Sequence, residues 1–185
     1  MKILQEFVVP RPPEVVWSFF QDVPSVAQCL PGAELLARSE DGSYEGRLAV
    51  KLGPMTAAFE GKATVIPDEA SRSAIIEGKG VDKKGGSRGQ VKVLYAIAPE
   101  GEGSKVSIDA DVTLSGPAAQ FGRTGLINEM SKRLIQEFVS CLEGKLEAGS
   151  VEEAEAIQAS EVRGISLFFT SLWAWIKRLL GRGGS

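Results

Sequence analysis

Five stretches between residues 44 and 114 alternate apolar and polar side chains with a period of two residues. In the first stretch the apolar positions are Tyr44, Leu48, Val50 and Leu52, and the polar positions between them include Glu45, Arg47 and Lys51. The pattern returns in residues 55–65, 74–78, 91–97 and 106–114. Such alternation is typical of a strand with one buried face, and short connectors favour antiparallel pairing. The sequence therefore predicts an antiparallel meander.

Helical patterns lie on both sides of these strands. After a first predicted strand near residues 2–9, the segment EVVWSFF places apolar side chains four residues apart and predicts a short helix ending near Asp22. The segment VPSVAQCLPG predicts a second short helical turn. Residues 119–146 carry apolar side chains at spacings of three or four residues, which is typical of a long amphipathic helix.

This order of elements predicts an α+β helix-grip fold, in which a curved antiparallel sheet wraps around the long C-terminal helix. One helix cannot fill the concave face of a strongly curved sheet, so we expect a cavity between them. Small inward-facing residues would widen it, namely Gly46, Gly61, Gly78 and Ala110. The side chains expected to line this ligand pocket are Met55, Phe59, Tyr95, Phe121, Met130 and Leu134. The alternative is that these side chains close-pack as an ordinary core.

The sequence offers little for catalysis or metal binding. It contains no histidine, which excludes the Ser-His-Asp and Cys-His arrangements and removes the commonest metal ligand. Asp109 and Asp111 come nearest to a catalytic carboxylate pair, but their alternation places both on the outer face of the sheet. Cys29 and Cys141 are far apart and lack a Cys-x-x-Cys spacing, which predicts reduced, buried thiols. We therefore predict a protein that is not an enzyme and holds no metal.

The charge pattern does not indicate a nucleic-acid partner. Basic and acidic side chains are nearly balanced within residues 1–146, and no basic stripe interleaved with aromatic residues is present. The segment GKGVDKKGGSRG fails both glycine-rich phosphate-binding patterns and predicts a hairpin. Lys83, Lys84 and Arg88 at its tip are expected to be solvated, with contact to an acidic partner or lipid headgroups left open. The start, MKILQEFVV, lacks the apolar region of a secretory signal and favours a cytoplasmic domain.

Four segments together carry a resemblance to a known family: FVVPRPPEVVWSFFQDVPSVAQCLPG, VKLGPMTAAFEGKATV, GKGVDKKGGSRG and LSGPAAQFGRTGLINEM. Over about residues 2–146 the chain resembles the CoxG-like family of carbon monoxide dehydrogenase accessory proteins, within the START-like and Bet v 1-like helix-grip superfamily. The resemblance implies an accessory protein that helps place a carbon monoxide dehydrogenase-type molybdenum hydroxylase at the membrane and couples it to the quinone pool. The superfamily binds hydrophobic ligands, which implies an isoprenoid quinone such as menaquinone here.

The segment 164–185 lies outside this resemblance and is interpreted from its own residues. On a helix beginning at Ile165, the apolar side includes Phe168, Phe169, Leu172, Trp173, Trp175, Ile176 and Leu179, and the opposite side carries Lys177 and Arg178. The stretch ends at Leu180 and is shorter than the roughly 20 apolar residues that cross a bilayer. An apolar face with tryptophans and a basic polar face favour a helix lying in the membrane interface. Docking on the domain itself or on a partner protein is the alternative.

The sequence thus predicts three parts: a helix-grip ligand-binding domain in residues 1–146, an acidic Ala/Glu-rich linker in 147–163, and a membrane-associating tail in 164–185. Two functions remain open. The protein either carries a quinone between the membrane and the dehydrogenase, or recruits and assembles that dehydrogenase without binding a ligand. Under both hypotheses we expect it to attach peripherally to the inner face of the cell membrane.

Overall fold

The computed structural model describes residues 1–52, 55–123, 126–148 and 151–159. Within them, seven strands form one antiparallel sheet in the order β1-β7-β6-β5-β4-β3-β2. The strands are β1 Lys2–Val9, β2 Ala33–Arg38, β3 Tyr44–Leu52, β4 Met55–Asp68, β5 Ser73–Asp82, β6 Ser87–Glu100 and β7 Gly103–Ser115. Strands β3 to β7 pair in chain order, so the predicted meander is confirmed.

The helices are α1 Pro13–Gln21, α2 Val23–Cys29, α3 Leu126–Glu147 and α4 Val151–Ala156, with a 3₁₀ helix at Gly116–Arg123. The two proline residues Pro12 and Pro13 open α1, where a missing amide hydrogen has no cost. Asp22 caps α2, and its carboxylate accepts a 2.7 Å hydrogen bond from the Ser25 hydroxyl. Helix α3 packs on the concave face of the sheet, which confirms the α+β helix-grip fold.

Strand β2 is missing from the sequence-based prediction. Its sequence AELLAR does not alternate cleanly between apolar and polar residues. In the structure, its register with β3 shifts between Leu35 and Ala37. This bulge places Leu36 at the surface with 58% of its side chain exposed, and β2 lies at the edge of the sheet. A bulge adds one residue to a strand and interrupts the alternation of its two faces. The period-two pattern of β2 is therefore too weak to be recognised from the sequence.

The main core joins α1, α3 and the inner face of strands β1, β6 and β7. Aromatic rings dominate it: Phe138 of α3 lies 5.8 Å from Phe20 and 6.5 Å from Phe19, centroid to centroid. Phe7 of β1 contacts the same Phe138 ring edge-on at 6.3 Å. A second, smaller cluster is centred on Leu52, Ala57 and Ala118, where the ends of β3 and β4 meet the 3₁₀ helix.

The two cysteines form a disulfide, so the prediction of reduced thiols is wrong. Cys29 at the end of α2 is bonded to Cys141 in α3, across a sequence separation of 112 residues. The predicted burial is correct, since their side chains are 0% and 5% exposed. Sequence spacing could not show the bond, because it depends on two helices meeting in the folded chain.

Residues 151–159, within the predicted linker, lie against α2 and α3. The Lys145 ammonium donates hydrogen bonds to the Gln28 side-chain oxygen at 2.6 Å and to the Ala154 carbonyl at 2.7 Å. The Ala159 amide donates to the Gln28 carbonyl at 2.9 Å, and Ile157 packs against the main core. We call residues 151–159 the C-terminal strap.

The predicted tail, residues 164–185, lies outside the described residues. Over the four described ranges, no helix combines the length and the apolar character needed to cross a membrane.

Candidate functional site

A cavity of about 410 Å³ lies between the concave face of the sheet and the first half of α3. Helix α3 contributes Ile127, Met130, Ser131 and Leu134 to its wall. These residues are spaced by three or four positions, so they share one face of the helix. The amphipathic pattern of α3 therefore serves two purposes, since its first half faces the cavity and its second half fills the main core.

Helix α2 and strand β2 close one side of this cavity. Val23 and Ala27 of α2, one turn apart, both line it, and so do Ala33 and Leu35 of β2. Sequence reasoning missed all four. The element carrying Val23 and Ala27 was predicted, but period-two and helical patterns do not show which elements close a cavity.

Glycines paired across four neighbouring strands form the floor of the cavity. Gly46 pairs with Gly61, Gly61 with Gly80, and Gly80 with Gly89, so one glycine of each strand from β3 to β6 lies in a single row across the sheet. All four line the cavity. A Cβ on Gly61 would overlap the Lys79 carbonyl oxygen, and its distance to the Gly80 Cα would be 2.7 Å. The neighbouring strand approaches Gly61 so closely that only glycine fits at that position, and the missing side chains along the row leave the cavity open.

The cavity wall offers almost no polar group to a ligand. The Ser131 hydroxyl faces this region but donates a 2.7 Å hydrogen bond to the Ile127 carbonyl of its own helix. At the border of the cavity, Arg47 pairs with Glu34 at 2.8 Å and Lys62 pairs with Glu45 at 2.9 Å, on strand positions that face outward. An apolar molecule would lose little by leaving water for such a site, whereas a charged one would lose its hydration without compensation.

The six residues predicted to line the pocket divide between the cavity and its surroundings. Phe59, Met130 and Leu134 line it. Met55 and Phe121 are not among the lining residues and pack in the second cluster together with Phe59 and Met130. Tyr95 does not reach it and belongs to the main core.

Tyr95 points inward as its alternation predicts, but α1 covers it. Its ring lies 4.8 Å from that of Phe20 and 6.3 Å from that of Trp17, and the residue is only 3% exposed. Its hydroxyl makes no hydrogen bond of regular geometry, although the Gln21 side chain is near enough to lower its pKa slightly. Burial dominates and raises the pKa of Tyr95 to about 12. The residue contributes packing, and the cavity begins farther along the sheet.

No catalytic arrangement appears beside the cavity among the described residues. Asp109 and Asp111 lie on the outer face of the sheet, where Lys2 approaches their carboxylates at 3.3 and 3.9 Å. Within the described ranges, no group of three potential protein ligands could hold a metal ion. Among the described residues at the border of the cavity, the carboxylates of Glu34 and Glu45 are paired with Arg47 and Lys62, and the mostly apolar wall suits the enclosure of an apolar molecule.

The glycine-rich segment forms the predicted hairpin between β5 and β6. Asp82 is buried at the turn, and its carboxylate accepts hydrogen bonds from the amides of Lys84 and Gly85 at 3.1 and 2.9 Å. Lys83 lies outside and pairs with Glu60 at 3.3 Å. The carboxylate that fills this turn leaves no amide cradle for a phosphate.

Solved structures share this fold at low sequence identity. A conserved protein from Geobacillus kaustophilus is 16% identical, with 79% of this chain and 95% of that chain covered and a TM-score of 0.68. A START superfamily protein from Mycobacterium smegmatis is 19% identical, with 79% and 97% covered and a TM-score of 0.52. The Zhui aromatase/cyclase from Streptomyces sp. R1128 is 16% identical, with 84% and 93% covered and a TM-score of 0.50. These similarities show a START-like and Bet v 1-like helix-grip fold, which binding proteins and enzymes both use.

Among curated proteins, no sequence is significantly similar to this chain. The family model for CoxG, a carbon monoxide dehydrogenase subunit, matches residues 6–147. This match spans the whole sheet except the start of β1, together with α1, α2 and α3. The chain therefore belongs to the CoxG family of carbon monoxide dehydrogenase subunits.

Proposed function

We propose that this protein is a non-catalytic carrier that binds an isoprenoid quinone, such as menaquinone, in the cavity between sheet and α3. It attaches peripherally to the inner face of the cell membrane and couples a carbon monoxide dehydrogenase-type molybdenum hydroxylase to the membrane quinone pool. The observation that carries the proposal is the apolar cavity of about 410 Å³.

The size and lining of the cavity support a hydrophobic ligand. Ligand pockets usually measure about 300 to 1,000 Å³ and are mostly apolar. Here the cavity lies within that range, and the side chains that line it include Leu48, Phe59, Val91, Val112 and Leu114. Because it is partly open to the surface, a long isoprenoid chain could extend from it while the part inside is buried. Hydrophobic burial, at roughly 25 cal/mol per Å², would supply most of the binding energy.

The coupling to a dehydrogenase rests on the family, and the membrane attachment rests on the sequence of the tail. A carrier needs access to the bilayer, where its ligand resides, and the amphipathic pattern of residues 165–180 would provide it. A partner with redox centres is needed as well, because a carrier moves the quinone and an enzyme must supply the electrons that reduce it.

The test is quinone retention by full-length protein purified without detergent from quinone-producing cells. Met130→Trp places a large ring in the cavity, and we expect bound quinone, measured by mass spectrometry of organic extracts, to fall at least about tenfold. Gln136→Trp is the matched control, since Gln136 is exposed on the same helix. Stoichiometric quinone in the wild type and the control, with little in Met130→Trp, supports the carrier.

The alternative is an assembly or recruitment factor that binds no ligand. It predicts empty wild-type protein and unchanged quinone-coupled dehydrogenase activity when Met130→Trp replaces the wild type. Equal quinone content in all three proteins would place the lipid elsewhere and contradict the proposed site.

A further inference from the structure

We infer that the Cys29–Cys141 disulfide is a reducible lock on α2, and that its reduction by a dithiol opens the side of the cavity that α2 closes. The inference rests on the proposed binding of a ligand in that cavity. Under this inference, the redox state of the disulfide controls the rate at which the cavity exchanges its ligand.

Helix α2 connects the disulfide to the cavity wall directly. Val23 and Ala27 line the cavity, and Cys29, two residues beyond Ala27, is bonded to α3. Helix α3 provides the opposite wall through Met130 and its neighbours. The disulfide therefore joins the two helices that enclose the cavity on this side, and it limits how far they can separate at the Cys29 end of α2.

The other attachments of α2 are non-covalent and include packing of Val26 against the main core and hydrogen bonds at its C-terminal end. A helix of seven residues has little stability of its own. At its C-terminus, Gln28 receives hydrogen bonds from Lys145 at 2.6 Å and from the Ala159 amide at 2.9 Å. At its start, the Asp22 cap is exposed. Once the disulfide is open, hydrogen bonds and partial packing alone hold α2 against α3.

The chemistry of unlocking is thiol–disulfide exchange. A thiolate of the dithiol attacks one sulfur, which gives a mixed disulfide and releases the other cysteine. The second thiol of the reductant then closes its own disulfide and releases the remaining cysteine. Two electrons and two protons pass to the protein, and Cys29 and Cys141 become thiols. Such dithiols are abundant in the reducing compartment where we propose the protein works.

Burial makes the lock conditional on local opening. Cys29 is 0% exposed and Cys141 is 5% exposed, so a reductant reaches the bond only through a small local opening of the structure around it. A protein with the disulfide closed would release its ligand slowly, and a reduced protein would exchange it quickly.

The first experiment measures exchange of a neutral fluorescent probe, N-phenyl-1-naphthylamine, from the full-length protein by stopped-flow displacement. After dithiothreitol treatment we expect its dissociation rate to rise at least about tenfold, because α2 opens more often. The Cys29→Ser/Cys141→Ser variant is the matched control. It should exchange at the reduced rate and show no response to dithiothreitol. Unchanged exchange in reduced wild-type protein, with both thiols alkylated as proof of reduction, would overturn the inference.

Amide hydrogen exchange tests the unlocking without any ligand. Reduction should speed exchange in residues 23–30 at least about tenfold, while residues 90–97 of β6 change less than about twofold. Unchanged protection in α2, or equal loss of protection in the sheet, would overturn the lock. If reduction speeds amide exchange in α2 but the protein binds neither the probe nor a quinone, the proposed function is wrong, whereas the inference that the disulfide restrains α2 still holds.

Discussion

At the scale of single residues, Gly61 shows how the cavity and the bend of the sheet depend on the same position. Its Cβ would meet the backbone of β5, which cannot move without breaking the pairing with β4. We expect Gly61→Ala to lower the free energy of unfolding by about 1 to 3 kcal/mol. At Gly89, a Cβ would meet only side chains, at 3.4 to 3.5 Å, which is ordinary contact.

Urea unfolding of the two variants checks this difference. Gly89→Ala should keep the wild-type free energy of unfolding within about 0.5 kcal/mol, because its methyl group would make only ordinary contacts with the Leu114 and Phe59 side chains. Equal losses of stability in Gly61→Ala and Gly89→Ala would show that glycine flexibility, rather than the close approach of the strands, is what the row requires.

The buried Tyr95 hydroxyl predicts a loss of stability at alkaline pH. Its pKa is about 12 in the folded protein and about 10 in an unfolded chain, so the unfolded state loses its proton first as the pH rises. Stability linked to Tyr95 is complete below about pH 10 and decreases by about 2 to 3 kcal/mol toward pH 12. Urea unfolding at pH 7 and pH 11 measures this loss. Tyr95→Phe should reduce the difference, and an unchanged difference in that variant would contradict the assignment to Tyr95.

The same tyrosine marks how far residue-level prediction reaches. The alternation of residues 91–97 predicts correctly that Tyr95 points inward. Whether an inward residue faces a cavity or a packed core depends on what covers it, and here α1 does so through Phe20 and Trp17. Gly80 and Gly89 line the cavity, but the sequence did not predict this. They lie beside the basic tip of a hairpin in the sequence, and only the strand register aligns them with Gly61.

At the scale of elements, strong periodicity predicted the meander and α3. The features that were not predicted depend on contacts between segments far apart in the sequence. Strand β2 lost its signal to a bulge, and the disulfide required α2 to meet α3. The acidic stretch after α3 has a composition typical of a solvated linker, yet the C-terminal strap is held at Lys145 and Gln28. These are tertiary contacts that local sequence patterns do not encode.

Lys145 predicts how firmly the C-terminal strap is held. Burial lowers the pKa of this lysine, and its side chain, only 8% exposed, directs its hydrogen bonds to Gln28 and Ala154. Lys145→Met keeps the aliphatic stem and removes those bonds, so we expect proteolytic cleavage within residues 151–159 to accelerate about tenfold. Lys132→Met, on the exposed face of the same helix, is the control. Equal cleavage of the two variants would mean that Ile157 packing and the Ala159–Gln28 hydrogen bond hold the strap without Lys145.

At the scale of the whole molecule, one chain with a formal net charge of -3 combines an apolar cavity with an amphipathic segment predicted in residues 164–185. The disulfide and the C-terminal strap meet at the end of α2, and the strap is the last described segment before that tail. The strap therefore lies against α2, the helix that contributes Val23 and Ala27 to the cavity wall. If a carrier exchanges its ligand past this helix, the disulfide and the strap both act on the wall that must open.

The tail predicts binding to anionic vesicles that weakens with salt. Trp173 and Trp175 would insert in the interface, and Lys177 and Arg178 would each add about 1 kcal/mol near an anionic leaflet. Full-length protein should therefore float with phosphatidylglycerol vesicles and much less with phosphatidylcholine vesicles. Trp173→Ala/Trp175→Ala should weaken binding more than about tenfold, because it removes several kcal/mol of apolar burial. Ser166→Ala/Ser171→Ala, on the polar side of the predicted helix, is the matched control. If the tryptophan variant floats as the wild type does, Trp173 and Trp175 do not anchor the protein to lipid. If the wild type does not float with phosphatidylglycerol vesicles, docking on the domain or on a partner protein becomes the role of the tail.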